Sequence, residues 1–296
     1  CGVAGLLACL GAALSLTAGI SMPHASAGPV SAISQPAGTV PIPDGPAEAW
    51  ILADMDTGAV LAGRNEHAQF APASTIKVLL ALTVLDELPL DATVVANEAD
   101  TRVECNCAGV TPGVTYSARQ LLEALLLVSG NDAANTLATM LGGRDVAVAK
   151  MNAKAAALGA HGTNAGSPSG IDGPGIAIWS TPHDLAVIFR AAMGNPVFAQ
   201  ITAQPTAVFP TRTGDAVLVN QDELLHRYPG TFGGKTGYTD LARKTFVGGA
   251  ERGGRHLVVA LMYGLVKEGG PTYWDQAAGL LDWGFALGPN AGVSAL

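Results

Sequence analysis

The chain has 296 residues, 49% of them hydrophobic and 14% charged, with 24 acidic against 16 basic side chains for a net charge of -8. That length and apolar content suffice for one large domain or two small ones with a real core. The acidic balance, with no Lys/Arg cluster, argues against a nucleic-acid partner, while an acidic cell-surface polymer stays admissible because local and net charge can differ.

Cys1 to Ala27 carries no Lys, Arg, Asp or Glu, is apolar or small from Leu6 to Ile20, and closes on Ala25-Ser26-Ala27. An apolar run ahead of an A-x-A pattern predicts a secretory signal at 1–27 without its basic start, with retention as a membrane anchor as the alternative. Leu6-Leu7-Ala8-Cys9 has the outline of a lipoprotein box, but the apolar run continues past Cys9 and speaks against lipidation. Residues 28–46, rich in Pro, Gly, Ser and Ala, predict a tether. A folded domain is expected over 47–290, followed by a short tail at 291–296.

Within that domain, Trp50 to Asp54 and Ala59 to Ala62 flank Asp56-Thr57-Gly58 and predict two strands joined by a turn. A helix headed by Ser74 and Lys77 follows and ends near Leu88, where Pro89 stops it. After an irregular stretch containing a brief strand at Val94-Val95, Ser117 and Gln120 form a capping box for a second helix, which breaks at Ser129-Gly130-Asn131. Asn131 or Asp132 caps the next helix as far as Gly142-Gly143; others run from Asp145 to Leu158 and from Thr181-Pro182 to Gly194. Strands are expected at Ala207 to Phe209, Ala216 to Val219, Lys244 to Ala250 and His256 to Tyr263, and a last helix over Tyr273 to Leu287. The simplest packing pairs early and late strands in one antiparallel sheet with a helical block inserted between them, an α+β fold with helices flanking the sheet.

Three short motifs stand out. Ser74-x-x-Lys77 places a hydroxyl and an amine on one helix face, about 5–6 Å apart at Cβ, and the apolar run Val78 to Leu85 desolvates the lysine toward the neutral form that a base requires. Ser129 and Asn131 project from a helix break, suited to proton relay and to holding an amide. Lys235-Thr236-Gly237, preceded by Gly233-Gly234 and followed by Tyr238, reads as a strand whose small residues let a ligand backbone lie alongside, with a cation and a hydroxyl for a carboxylate. A Ser-x-x-Lys pair is expected on the order of once by chance in such a chain, and Lys-Thr-Gly on the order of 0.1 times. The ordered set of three carries the specificity.

That set resembles the penicillin-recognising serine D,D-peptidases and the related serine β-lactamases, in particular the small D-alanyl-D-alanine carboxypeptidases of actinobacteria, over about Ala47 to Leu287. The resemblance implies a β-lactamase/transpeptidase-like fold. It also implies a Ser74 acyl-enzyme on peptidoglycan stem peptides ending in D-Ala-D-Ala, inhibition by β-lactam antibiotics, and no cofactor. By the same likeness Lys77 is the base, Ser129 gives a proton to the departing D-alanine, and Asn131 holds the acyl-side amide. Lys235 and Thr236 bind the terminal carboxylate beside Gly237, and the backbone N–H groups of Ser74 and Tyr238 form the oxyanion hole. An exported, wall-facing location follows, either secreted or anchored through the N-terminal segment.

Three rivals remain. Class A β-lactamases depend on a glutamate between the second and third motifs; here the one glutamate there is Glu223, close to Lys235, and Gly130 stands where they have aspartate. Endopeptidase action on cross-links uses the same chemistry, and a penicillin-sensing module is the non-enzyme alternative. Cys105-Asn106-Cys107 is a candidate small disulfide, with two reduced thiols as the other reading; a zinc site lacks a second ligand pair. The histidines at 67, 161, 183, 226 and 256 show no triad or metal spacing, and Arg243 and Arg255 read as solvated strand charges rather than carboxylate ligands.

Overall fold

The computed structural model describes residues 33–266 and 268–296; the segment read as an export signal lies outside the described residues. Strands β1 (Ala47–Asp54) and β2 (Ala59–Arg64) open the domain. Their turn is set by Asp54, whose Oδ1 accepts from the backbone N–H of Asp56 and Thr57, and by Gly58 at φ +78°. The chain then leaves the sheet. It forms α1 (Lys77–Glu87), β3 (Thr93–Val95), α2 (Glu98–Thr101), β4 (Thr115–Ser117), α3 (Ala118–Leu127), α4 (Asn131–Met140), α5 (Arg144–Ala157), α6 (Pro182–Met193) and α7 (Pro196–Thr202). A hairpin of β5 (Thr206–Thr211) and β6 (Gly214–Val219) and the short α8 (Glu223–Arg227) lead back to the sheet, which is completed by β7 (Thr231–Thr239), β8 (Arg243–Arg252) and β9 (Arg255–Gly264). Helix α9 (Tyr273–Phe285) and a two-residue strand β10 (Ser294–Ala295) close the chain.

The main sheet is antiparallel in the order β10-β2-β1-β9-β8-β7, which leaves β7 at an edge. Both faces are covered, and alternation along the strands sorts side chains between two cores. On β9, Val258, Ala260 and Met262 join the core under the helical block, while Leu257, Val259 and Leu261 join the one under α9. The expected inserted helical block is present, and it packs on the sheet through α6.

Several details differ from the sequence reading. Ser74 lies on a 3-10 turn (Ala73–Ile76) and Lys77 is the first residue of α1, so the pair sits where i and i+3 side chains eclipse. Gly130, not Asn131 or Asp132, caps α4, because both of those side chains are engaged elsewhere. The β5–β6 hairpin stays out of the main sheet; Phe209 and Leu218 bury into the helical block instead. Helices α7 and α8 were not expected, although Asn195 caps α7 ahead of Pro196 in a pattern the sequence displays.

The described part of the stretch read as a tether is not free. Ser34 exchanges two backbone hydrogen bonds with Gly63, and the Val40 carbonyl accepts from Trp283 Nε1 at 2.9 Å. The final residues likewise pair with β2. Unpaired backbone groups at a sheet edge attract such segments.

Arg255 serves the fold. Its Nε donates to Asp54 at 2.7 Å, and its Nη1 donates to the carbonyls of Gly284 and Leu287, tying β9, β1 and the end of α9 together. Arg255→Ala strands a largely buried carboxylate and is expected to lower stability by about 3 kcal/mol in urea titrations.

Candidate active site

The three motifs, far apart in sequence, meet at the junction of sheet and helical block. Ser74 arrives on the 3-10 turn, Ser129 and Asn131 on the link from α3 to α4, and Lys235 to Tyr238 on the edge strand β7. Two non-glycine residues in this junction have left-handed backbones, Ala73 (φ +48°) just before the nucleophile and Ser129 (φ +61°). Such conformations persist where surrounding structure over-determines them, as active sites do.

Lys77 is fully buried, and its Nζ has three short contacts: Ser74 Oγ at 2.7 Å, Asn131 Oδ1 at 2.7 Å and the Ser169 carbonyl at 2.7 Å, with Ser129 Oγ farther off at 3.4 Å. The amide and carbonyl oxygens can only accept. In the neutral amine they take its two N–H bonds, and the lone pair is left for the Ser74 hydroxyl. Burial, reinforced by the nearby Lys235 cation and opposed by Asp132, holds the Lys77 amine well below its ordinary 10.5. The arrangement therefore points the lone pair of a neutral amine at a hydroxyl.

Lys235 is also buried, with Nζ donating to the Thr236 carbonyl at 2.7 Å; desolvation pulls it down to about 7 against the countering charge of Asp222. Both lysines lie behind the cleft wall. The cleft itself encloses about 590 Å³ and is lined by Ser74, Ser129, Asn131, Thr236, Gly237 and Tyr238 among others. The predicted residues of the three motifs thus fall in or directly behind one cleft. Arg243 does not line it, whereas Lys244, stacked 4.7 Å over the Tyr238 ring, does.

The glycines of β7 act differently from the expectation that they make room for a ligand. A Cβ on Gly237 would stand 2.3 Å from Thr245 Oγ1 and 2.8 Å from Ser74 N, so its absence lets β7 close against the turn that carries Ser74. A Cβ on Gly170, at φ +86°, would meet the Ala73 carbonyl at 2.0 Å. The segment Ser167 to Asp172 fits tightly beneath Ser74 and delivers the Ser169 carbonyl to Lys77. Thr239 Oγ1 binds Asp172 at 2.5 Å and joins that segment to β7.

Motif reading missed the Ser169 carbonyl because a backbone acceptor has no residue signature. It also missed Asp132, whose carboxylate accepts from the backbone N–H of Ala108, Gly109 and Val110 at 2.9, 2.9 and 2.8 Å. Cys105 and Cys107 form a disulfide at the rim of the cleft. Among the described residues no three His, Cys, Asp or Glu side chains converge as metal ligands.

A sheet between two helical layers, with a serine–lysine dyad under its edge strand, defines a serine hydrolase that works through an acyl-enzyme. The sequence matches the D-alanyl-D-alanine carboxypeptidase family, peptidase S11, over residues 36–264. It is 72% identical to the D-alanyl-D-alanine carboxypeptidase DacB2 of Mycobacterium tuberculosis, across 88% of this chain and 90% of that one. A crystal structure of a D-alanyl-D-alanine carboxypeptidase from M. tuberculosis H37Rv superposes with a TM-score of 0.87 at 71% identity, covering 89% of this chain and all of the other. The Streptomyces K15 DD-transpeptidase superposes at 0.76 with 30% identity, over 84% of this chain and all of its own. The chain belongs to the D-alanyl-D-alanine carboxypeptidase family, whose members act on peptidoglycan peptides ending in D-Ala-D-Ala through a serine and are inhibited by β-lactams.

The geometry also separates it from class A β-lactamases. Among the described residues, the hydrogen-bond partners of Ser74 and Lys77 include no carboxylate; Glu223 lines the cleft from α8, but it pairs with Arg227 at 3.0 Å and bonds to neither. A Cβ at Gly130 would meet Asp132 Oδ1 at 2.9 Å and Ala108 Cβ at 3.1 Å, so the aspartate of those enzymes has no room here. Gly130→Asp adds a like charge to that contact and is expected to destabilise the protein by about 2–3 kcal/mol in urea titrations. It produces no turnover of a chromogenic cephalosporin; a gain of turnover would contradict this reading of the second motif.

Proposed function

We propose that the protein removes the terminal D-alanine of stem pentapeptides, with Ser74 as nucleophile and Lys77 as its base. The observation that carries this is the 2.7 Å contact between Lys77 Nζ and Ser74 Oγ, in a setting where the other two N–H directions are already taken. As Ser74 Oγ attacks the penultimate D-alanine carbonyl, its proton passes to Lys77, and the carbonyl oxygen becomes an anion held by the backbone N–H groups of Ser74 and Tyr238. Ser129, 3.4 Å from Lys77, passes the proton on to the leaving amine. This route runs from Ser74 through Lys77 to Ser129. The C–N bond breaks, D-alanine departs, and water attacks the ester with Lys77 again as base.

Substrate binding follows from the cleft. The edge of β7 is free to pair with an extended peptide backbone. Asn131 Nδ2 uses one N–H on the Glu104 carbonyl at 2.8 Å and keeps the other for the acyl-side amide. Thr236 receives the terminal carboxylate beside Gly237, and the Lys235 cation attracts it from behind the cleft wall. A β-lactam enters the same site as a mimic and remains as an ester on Ser74. Residues 47–290 form the catalytic unit in this reading. With 1–27 as an export signal and 28–46 leading into the domain, the enzyme works on the wall side of the membrane, secreted or anchored through its N-terminal segment. Cleavage of D-alanyl cross-links by the same chemistry is the second reading, favoured by a cleft that is open to a polymer.

Two measurements test this. Ser74→Ala lowers D-alanine release by on the order of a thousandfold or more and abolishes covalent labelling by penicillin; labelling that persists would sink the assignment. The pH profile gives the second. Lys77 must be neutral, so kcat/KM is lost as pH falls through its depressed pKa and the base takes up a proton. Lys235 must be charged, so kcat/KM is lost again as pH rises past about 7. The bound carboxylate favours the Lys235 cation, and the alkaline limb of kcat is therefore displaced to higher pH than that of kcat/KM.

A further inference from the structure

The stretch from Arg102 to Thr111 contains no helix or strand, yet three of its residues, Glu104, Cys105 and Asn106, line the cleft. It is fastened to the second motif by its backbone. The Glu104 carbonyl accepts from Asn131 Nδ2 at 2.8 Å, the Asn106 carbonyl accepts from the Asn131 backbone N–H at 2.7 Å, and Asp132 collects the N–H groups of Ala108 to Val110. Between these attachments sits the Cys105–Cys107 disulfide, its Cα atoms 4.9 Å apart.

The sense of the Asn131 side chain is what this fastening decides. An amide presents an acceptor at one end and donors at the other, and which end faces a neighbour is fixed by its partners. Glu104 offers a carbonyl, which only accepts, so Nδ2 turns to it and Oδ1 turns to Lys77. With the amide reversed, its N–H group would face Lys77 and compete with the Ser74 hydroxyl for the lone pair. The attachments at Asn106 and at Ala108 to Val110 hold the segment on one side of Glu104, and a local closure beside Glu104 restricts the turning of its carbonyl. The disulfide is that closure, one residue beyond Glu104.

We propose that the Cys105–Cys107 disulfide is a positioning element of the active site: it fixes the Glu104 carbonyl, the carbonyl fixes the Asn131 amide, and the amide directs the Lys77 lone pair to Ser74. The inference rests on the reading of Lys77 as the base for Ser74. Neither cysteine touches the reacting atoms. Cys105 is exposed, so a reductant in solution reaches the bond.

The test compares oxidised protein, protein reduced with a water-soluble phosphine, and the Cys105→Ser/Cys107→Ser double variant. In the reduction the S–S bond takes up two electrons and two protons to give two thiols, and the phosphine becomes its oxide with oxygen from water. Alkylation and intact mass count the thiols. A fluorescent penicillin then gives two separate numbers, the amplitude of labelling, which counts competent sites, and the acylation rate constant per labelled site. The expected result is a rate constant at least tenfold lower in both the reduced protein and the double variant, with amplitude retained, and recovery on reoxidation of the reduced protein alone. An unchanged rate constant per labelled site overturns the proposal, as does a loss confined to amplitude, which reports folding only. Oxidised wild-type protein that takes no label at all would instead refute the Ser74 acyl-enzyme, and this inference with it.

Discussion

A buried amine with two of its three directions already spoken for is the constraint around which this structure is arranged. In the proposed reaction Lys77 can act only if it is neutral and only if its lone pair points at Ser74. Burial at the start of α1 secures the first condition, and the Ser169 carbonyl with Asn131 Oδ1 secures the second. Each acceptor comes from a different part of the chain. The geometry therefore exists only once the helical block has closed against the sheet, and the close approaches at Gly170 and Gly237 are where that closure is tightest.

The second lysine makes the electrostatics cooperative. Lys77 and Lys235 both lie behind the cleft, and the charge of Lys235 helps keep Lys77 unprotonated. Each has a carboxylate nearby that works in the opposite direction. Asp132 favours the Lys77 cation but is bound to four backbone N–H groups, including its own helix at Ala133. Asp222, pushed up to about 6 by burial, supports the Lys235 cation. Burial thus lowers both amines, Lys77 well below its ordinary value and Lys235 to about 7, and the two carboxylates work against that lowering.

Much of this was legible in the residues. Amphipathic spacing, the Ser117 and Gln120 capping box and Pro182 after Thr181 placed α3 and α6 closely, and the Gly253-Gly254 turn placed β8 and β9. The side chains of the three motifs stood out in the sequence, and the fold brings them to one cleft. What was hidden was carried by the backbone or by tertiary context. The Ser169 and Glu104 carbonyls have no side-chain signature. The edge position of β7 depends on strand order, and the choice of Gly130 as cap depends on where Asn131 and Asp132 find partners. The β5–β6 strands had the right period but no sequence feature to say that they would pack on helices and stay out of the sheet.

The central claim is that Lys77 is an amine, not an ammonium, in the resting enzyme. Lysine 15N and 13Cε resonances, followed through a pH titration and assigned with Lys77→Arg, measure this directly. The account predicts one lysine, absent from the Lys77→Arg spectrum, titrating well below the ordinary 10.5. A Lys77 resonance that stays protonated up to that value would contradict it.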